Sequence, residues 1–332
     1  MSDHAKPGSE DLDDLITRFF DGDKKALARV ITLVEDFPDK AREIIGKIHG
    51  HCGNTYVIGI TGVLGSGKSS LVTKLTQRIR ARGKTVGIIS IDPASPFSGG
   101  AFLGDRVRMK ELFLDSGVFI RSSSARGRIG GMSKATDDMV IVFDAFGKDF
   151  VIIETVGAGQ SEVGISNIAN TTVVVFVPGL GDSIQAQKAG IVEIGDVLVV
   201  NKADLEGADS LTVLLEQMLD SYTRQTGWRP PVVLTSAKDD EGIEEFLDEV
   251  LRHRNHIELS GILERKRKDR IAQRLQDIVG DMARDYIVES IGGFEGFGKL
   301  VDRVHSGGID PYSAADEIRD HVIDRVRGED DS

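Results

Sequence analysis

Gly62-Val63-Leu64-Gly65-Ser66-Gly67-Lys68-Ser69 is the stretch on which the reading of this chain turns. It follows the short apolar run Tyr56–Ile60 and leads into Leu71, Lys74, Leu75 and Arg78, which recur at helical spacing. Strand, G-x-x-x-x-G-K-S and helix stand in the order a phosphate-binding loop requires. Glycines let successive backbone N–H groups close around phosphate oxygens, and a helix N-terminus adds its positive end. Lys68 would reach the β and γ groups, and the Ser69 hydroxyl can ligate Mg²⁺. The candidate phosphate contacts are therefore Gly65, Ser66, Gly67, Lys68, Ser69 and Ser70.

Downstream, β-branched runs at Thr85–Ile91, Phe150–Glu154, Thr172–Val177, Val197–Asn201 and Val232–Thr235 alternate with segments of helical character. Runs that are apolar on both faces belong to strands covered on both sides, so the pattern predicts βαβ units and a mainly parallel sheet flanked by helices. Upstream, Leu12, Leu15, Ile16, Phe19, Leu27, Val30, Ile31, Val34, Ile44, Ile45 and Ile48 fall at three- and four-residue intervals. Breaks at Asp21-Gly22-Asp23 and Phe37-Pro38-Asp39 divide them into two or three amphipathic helices. After about residue 253 the strand texture ends and only helical periodicity remains. The expected architecture is α/β: a helical N-terminal arm over 1–55, a P-loop NTPase core over 56–253, and a helical C-terminal arm over 254–332.

The chain has 332 residues, enough for about two domains at roughly 150 residues each. Its 41 Lys and Arg against 53 Asp and Glu give a formal charge of −12, which argues against a general attraction for nucleic acid. An anion must be caught locally. One cysteine, Cys52, cannot form an intrachain disulfide. With no basic segment before an apolar one at the start and no apolar stretch of about 18 residues, neither export nor membrane insertion is expected, and the expected location is the cytoplasm.

Mg²⁺ takes one or two protein oxygens besides phosphate, so carboxylates at strand ends beside the loop are the candidates. Asp92 ends one predicted strand ahead of Pro93-Ala94-Ser95-Pro96, Asp105 follows a glycine-rich segment, and Glu154 ends another strand. A strand-terminal acid also serves as a helix or turn cap. Glu154 is followed by Thr155-Val156-Gly157-Ala158-Gly159-Gln160, where Gly157 could offer its N–H to a γ-phosphate, as in loops that move on hydrolysis.

The base is indicated by Asn201-Lys202-Ala203-Asp204 at a strand end. An Asp carboxylate can accept from both N1–H and the exocyclic amine of guanine, a pair adenine lacks; Lys packs its stem on the base and Asn ties the loop together. Thr235-Ser236-Ala237-Lys238 follows the next strand and matches the loop whose N–H meets the guanine oxygen. After the strand Thr172–Val177 comes Pro178-Gly179-Leu180-Gly181-Asp182 and, further on, Lys188. That segment reads either as a βα connection with solvated Asp182 and Lys188 or as a further switch presenting a cation.

These motifs in this order resemble the MeaB/ArgK/MMAA family of P-loop GTPases, metallochaperones of adenosylcobalamin-dependent acyl-CoA mutases. The resemblance spans about residues 12 to 325 and includes Asp92-Pro93-Ala94-Ser95-Pro96, Leu103-Gly104-Asp105-Arg106-Val107-Arg108-Met109, Glu154 through Ser161, and Pro178 through Asp182. It implies GTP and GDP as ligands, and Mg²⁺ held through Ser69, Asp92, Asp105 and Glu154. It also implies switches at about 92–108, 154–166 and 178–188, and a homodimer built with the C-terminal helices. Function by resemblance is GTP-gated loading of cofactor onto a mutase, with protection or reactivation of that mutase. Leu64 and Ser183 depart from the family pattern, as does the stretch Ser122–Gly131.

Phosphoryl transfer needs positive charge on the transferring oxygens, and an added cation contributes roughly 10³ to 10⁵ in rate. The candidate catalytic set is Lys68, Glu154, Asp182, Arg108 and Lys188, with Lys188 as the partner-dependent cation and Arg108 positioning the first switch. Two other readings compete. A nickel-insertion GTPase would show a His- or Cys-rich site, for which His49-Gly50-His51-Cys52 is the nearest approach. A GTP-dependent interaction module would bind with negligible turnover. Arg265-Lys266-Arg267-Lys268 reads as the solvated face of a helix.

Overall fold

The computed structural model describes residues 11–93, 109–125, 134–155, 161–179, 191–220 and 227–330. Seven parallel strands form one sheet in the order β3-β2-β4-β1-β5-β6-β7. They are β1 (Tyr56–Gly62), β2 (Val86–Pro93), β3 (Val118–Ala125), β4 (Phe150–Thr155), β5 (Thr171–Phe176), β6 (Val197–Asn201) and β7 (Val232–Thr235). β1 is central and every residue of it is buried.

β3 is the strand the hydropathy pattern did not reveal. Only Val118-Phe119-Ile120 of its eight residues are strongly apolar, and Arg121, three serines and Ala125 complete it. It lies at the sheet edge, pairing with β2 from Val86↔Val118 to Pro93↔Ala125. Edge strands carry polar side chains without cost, so the signal that marks a buried parallel strand is missing.

Helices cover both faces. α4 (Lys68–Ala81) and α9 (Ile243–Leu259) pack Leu71, Leu75, Ile79, Phe246 and Val250 against Ile58, Ile60, Ile88, Ile152 and Val175. The other face meets α1 (Leu12–Phe20), α2 (Lys24–Asp36), α3 (Pro38–Ile48), α5 (Lys134–Ala145) and α6 (Ser161–Ile168) through Val57, Ile89, Val151 and Ile153. Further along it, α7 (Ile191–Ile194) and α8 (Ala208–Asp220) bury Val174, Phe176, Leu198 and Val200.

The breaks expected near the N-terminus are sharp because each has its own chemistry. Asp11 and Asp23 accept hydrogen bonds from the backbone N–H two residues on, at 3.0 and 2.7 Å, and Pro38 opens α3 where its missing N–H costs nothing. The arm is tied down by polar contacts as well: the Arg121 guanidinium and Ser123 hydroxyl of β3 both donate to Glu35 of α2. Asp144 accepts from the N–H groups of Gly53, Asn54 and Thr55, fixing the entry into β1.

Residues 1–263 form one compact unit and 264–332 another. The first therefore closes ten residues beyond the division at 253, after α9, whose His253 and Ile257 are buried. The second contains most of α10 (Ile262–Ser290), with α11 (Gly293–His305) and α12 (Pro311–Asp330). Arg303 pairs with Glu317 at 2.8 and 3.0 Å, and Arg325 lies over the Tyr286 ring. Gly292, with φ +88°, makes the turn between α10 and α11, and Phe294 and Phe297 belong to α11. No helix among the described residues is long and apolar enough to cross a membrane.

Candidate nucleotide site

The C-terminal ends of β1, β4, β5, β6 and β7 bring the predicted motifs to one edge of the sheet. Between β1 and α4 the loop turns at Gly65 and Gly67, both at positive φ. Gly67, at +86°, is the residue just before α4, and a Cβ there would collide with the Asn201 amide nitrogen. Only glycine satisfies both the dihedral and the contact. Leu71 N–H bonds to Gly67 C=O at 3.0 Å, so the hydrogen-bond ladder of α4 begins there and its amino end follows directly on the loop. That is the anion-binding end of a helix.

Lys68 is 5% exposed, and its ammonium donates to the carbonyls of Gly62 at 2.8 Å and Val63 at 2.9 Å. The Ser66 hydroxyl is fully buried and has no hydrogen-bond partner among the described residues. Buried hydroxyls are almost always paired, so this one suits a ligand acceptor. Beneath the loop, Ser69 Oγ donates to Glu154 Oε1 at 2.6 Å, with both residues buried. Register explains the meeting: Glu154 lies opposite Ile60, and Thr155 Oγ1 donates to Thr61 Oγ1 at 2.9 Å on the adjoining pair of strand ends.

A hydroxyl and a carboxylate at a phosphate-binding helix terminus are hard oxygen donors of the kind Mg²⁺ takes. The Asp92 backbone lies in β2 opposite Ser124, two residues beyond Ser90, which pairs with Glu154. Its side chain is outside the described residues, as are Asp105, Arg108, Gly157, Asp182 and Lys188. Among the described residues no three His, Cys, Asp or Glu side chains cluster as a metal site. Within His49–Cys52, the His51 ring packs on Phe20 with centroids 4.4 Å apart, and the Cys52 thiol faces the carbonyls of Ile48 and Ile141. Burial pushes that thiol up to about 11, so it stays protonated and unreactive at neutral pH.

At the base side Asn201 does more than close its own loop. Its Nδ2 donates to Ser66 C=O at 2.7 Å, and its Oδ1 accepts from Thr235 Oγ1 and Ala237 N–H, both at 3.2 Å. One buried side chain thus joins the phosphate loop, the Asn201–Asp204 loop and the segment after β7. Lys202 follows in the left-handed region at φ +58°. The backbone continues with Ala203 N–H to Thr235 C=O at 3.0 Å, which brings Asp204 to 3.2 Å from the Ser236 hydroxyl. Asp204 and Lys238 are exposed while Ser236 and Ala237 are buried, so the carboxylate stands open at the rim on a fixed support. The motif reading names Thr235 without giving its hydroxyl a role, and it leaves out Asp239, whose Oδ2 lies 2.6 Å from Ser236 Oγ. Their position beside Ser236-Ala237-Lys238 was the available signal.

Residues 27–291 match the family described as Methylmalonyl Co-A mutase-associated GTPase MeaB. This chain belongs to the MeaB family of GTPases. A Pyrococcus abyssi relative is 50% identical over 315 residues, covering 94% of this chain and 97% of its own. GTPase ArgK of Escherichia coli is 31% identical, covering 79% of this chain and 81% of its own length. The mouse protein named Methylmalonic aciduria type A homolog, mitochondrial, is 29% identical over 95% of this chain and 81% of its own. Among solved structures, the crystal structure of LAO/AO transport system kinase shares the fold at a TM-score of 0.71 and 22% identity, covering 96% of this chain and 99% of that one. Membership makes this chain a GTPase that binds GTP and GDP.

Proposed function

We propose that this GTPase uses Mg²⁺-dependent binding and hydrolysis of GTP to gate the loading of adenosylcobalamin onto an acyl-CoA mutase, and to protect or reactivate that mutase. The observation that carries the reading is the Asn201 staple, which ties phosphate and base recognition into one element. A change at the γ-phosphate is therefore felt across the whole nucleotide edge. Support for the partner comes from the description of the matching family, which names methylmalonyl-CoA mutase, and from the name of the mouse relative.

In this proposal the α4 terminus and the loop N–H groups hold the phosphates, Lys68 exchanges its two carbonyl partners for phosphate oxygens, and Asp204 reads N1–H and the exocyclic amine of guanine. Lys202 covers the base, and Ala237 and Lys238 meet its oxygen side. Ser69, Glu154, Asp92 and Asp105 hold Mg²⁺, which when bound neutralises charge on the β and γ oxygens. Gly157 contacts the γ-phosphate, and Asp182 and Lys188 on the connection after β5 relay the partner's state, with Arg108 positioning the first switch. Roles divide along the chain: the arm over 1–55 braces the sheet, 56–253 carries the nucleotide, and the helices beyond 253 form a homodimer. Exposed Ile271, Leu275, Val279 and Met282, spaced along one row of α10, support that last assignment. The setting proposed is the cytoplasm, with no nucleic-acid or membrane partner.

Affinity capture of the tagged chain in the presence of a non-hydrolysable GTP analogue tests the reading. Retention of an adenosylcobalamin-dependent acyl-CoA mutase is the expected result, and its equal absence with GDP and with the analogue counts against it.

A further inference from the structure

Lys74 and Arg78 of α4, with Arg82 just past its end, make a basic stripe at four-residue spacing, and Asp240 ahead of α9, with Glu244 and Asp248 on it, makes an acidic one at the same spacing. The two interlock in register. Lys74 Nζ lies 3.9 Å from Asp240, and Arg78 Nη2 donates to Asp240 Oδ2 at 2.8 Å while its Nε lies 3.4 Å from Glu244. Arg82 Nη2 reaches Glu244 at 2.5 Å and Asp248 at 2.9 Å. The lower pairs join helix to helix. The upper ones end on Asp240, which is not yet in α9 but in the loop that supports Asp204.

That loop is small and closed. Ser236 and Glu241 exchange two backbone hydrogen bonds at 3.1 Å, and Asp240 sits between them in the left-handed region at φ +63°. Gly242 follows at φ +69°, where a Cβ would collide with Leu234 C=O. Inside the loop the Ser236 hydroxyl stands between two carboxylates, 2.6 Å from Asp239 and 3.2 Å from Asp204. A hydroxyl has one hydrogen to give, and the shorter contact takes it. Asp239 thereby leaves both oxygens of Asp204 able to accept from a base, and the loop conformation decides that arrangement.

We propose that Arg78 on the phosphate-loop helix and Asp240 on the base-side loop are positioning residues for guanine selectivity: their ion pair holds the 236–241 loop so that Ser236 and Asp239 keep the Asp204 carboxylate aimed at the two guanine donors. The inference rests on Asp204 as the reader of the base. It adds a second tie between the phosphate and base ends, made at the surface and independent of the buried Asn201 staple.

The test is the preference for GTP over ITP, which lacks only the exocyclic amine, measured as a ratio of dissociation constants. Asp240→Asn keeps a residue type that tolerates the left-handed backbone and removes the charge. In Asp240→Asn and in Arg78→Ala the preference should fall about 3- to 5-fold, the size expected for one partly exposed ion pair. The double variant should fall no further than either single one, because both remove one interaction. Arg78→Lys should recover part of the preference, and Arg82→Ala, which breaks only the helix–helix pairs, should retain all of it. An unchanged preference in both Arg78→Ala and Asp240→Asn overturns the proposal, as does an equal fall in Arg82→Ala, which would mark the ladder as plain helix packing. Asp204→Asn separates the two levels: if it abolishes the preference while the Arg78 and Asp240 variants leave it unchanged, only the positioning claim fails. If it too retains the preference, the base reader itself is misassigned and the positioning claim falls with it.

Discussion

At one edge of the sheet Lys68, Glu154 and Asn201 are buried among loops; at the opposite edge Lys148, Tyr56 and His253 are buried as deeply, yet the two sets are built differently. At the amino edge these polar chains close on the protein's own backbone and side chains. Lys148 Nζ donates to Gly117 C=O at 3.0 Å, Lys24 Nζ to Asp115 and Val118 C=O, and Asp149 accepts from Thr85 N–H at 2.8 Å. The Tyr56 hydroxyl lies 2.5 Å from Thr171 Oγ1, which lies 2.8 Å from His253 Nδ1, and Trp228 Nε1 donates to Asp196 C=O. At the carboxyl edge polar groups stand ready for something else: the amino end of α4, the Ser66 hydroxyl, and an Asp204 carboxylate able to accept at the rim. Burial of a charge therefore does not by itself mark a working site. What distinguishes the two edges is that the carboxyl one combines open polar groups with a glycine loop and a helix start, since a buried hydroxyl without a partner among the described residues also occurs at the amino edge, on Thr55.

This contrast predicts that substitutions at the carboxyl edge change nucleotide handling and those at the amino edge change stability. The largest effect is expected for Lys68→Ala, which removes the buried cation and should weaken GTP binding about 10²- to 10³-fold while the thermal midpoint of the nucleotide-free protein moves little. Isothermal titration and a melting curve together check both halves. Next is Asp204→Asn, where a donor faces two donors: GTP binding should weaken by about 2 to 4 kcal/mol, and xanthosine triphosphate should be accepted better than by the parent chain. Unchanged GTP affinity would remove Asp204 from the base site.

Asn201→Ala sharpens the comparison because this residue belongs to both categories. Its loss strands the buried Ser66 carbonyl and Ala237 N–H, so unfolding should become easier by about 2 kcal/mol and GTP binding should weaken as well. A variant that lost affinity alone would show that Asn201 touches ligand rather than stapling loops.

The smallest effect is one of pH at the amino edge. Burial, with the nearby Lys24 and Arg80 cations, lowers the Lys148 ammonium to about 8 from an ordinary 10.5. Between those values the unfolded chain holds a proton that the folded chain has released, so this group makes folding more favourable as pH rises from about 8 toward 10.5, and its penalty is fully present below 8. Lys148→Met should raise the urea midpoint at pH 7 and flatten its rise between pH 8 and 9, leaving GTP turnover unchanged. Equal slopes in the two chains would contradict the assignment.

Much of this was legible in the sequence for a physical reason: parallel strands buried on both faces must be apolar throughout, and phosphate loops must use glycine where backbone approaches backbone. Tyr56–Ile60 and Phe150–Glu154 obey the first constraint and are strands, and Gly62–Ser69 obeys the second, joining strand to helix as expected. β3 was missed because an edge strand is free of the first constraint, and Arg121 and Ser123 use that freedom to hold Glu35. Asn201 was expected to tie its own loop; its reach to Ser66 C=O depends on Gly67 lying close by in space, and spacing along the chain carries no record of that. The ladder from Arg78 to Asp240 is invisible for the same reason, since either stripe alone reads as a solvated helix face.

The central claim is that GTP turnover at the carboxyl edge answers to a mutase. Single-turnover hydrolysis of GTP, measured with and without purified methylmalonyl-CoA mutase at saturating Mg²⁺, tests it most directly. Acceleration by the mutase in the parent chain, lost in Lys188→Ala with GTP affinity retained, is the predicted result; hydrolysis at the same rate with and without the mutase would contradict it.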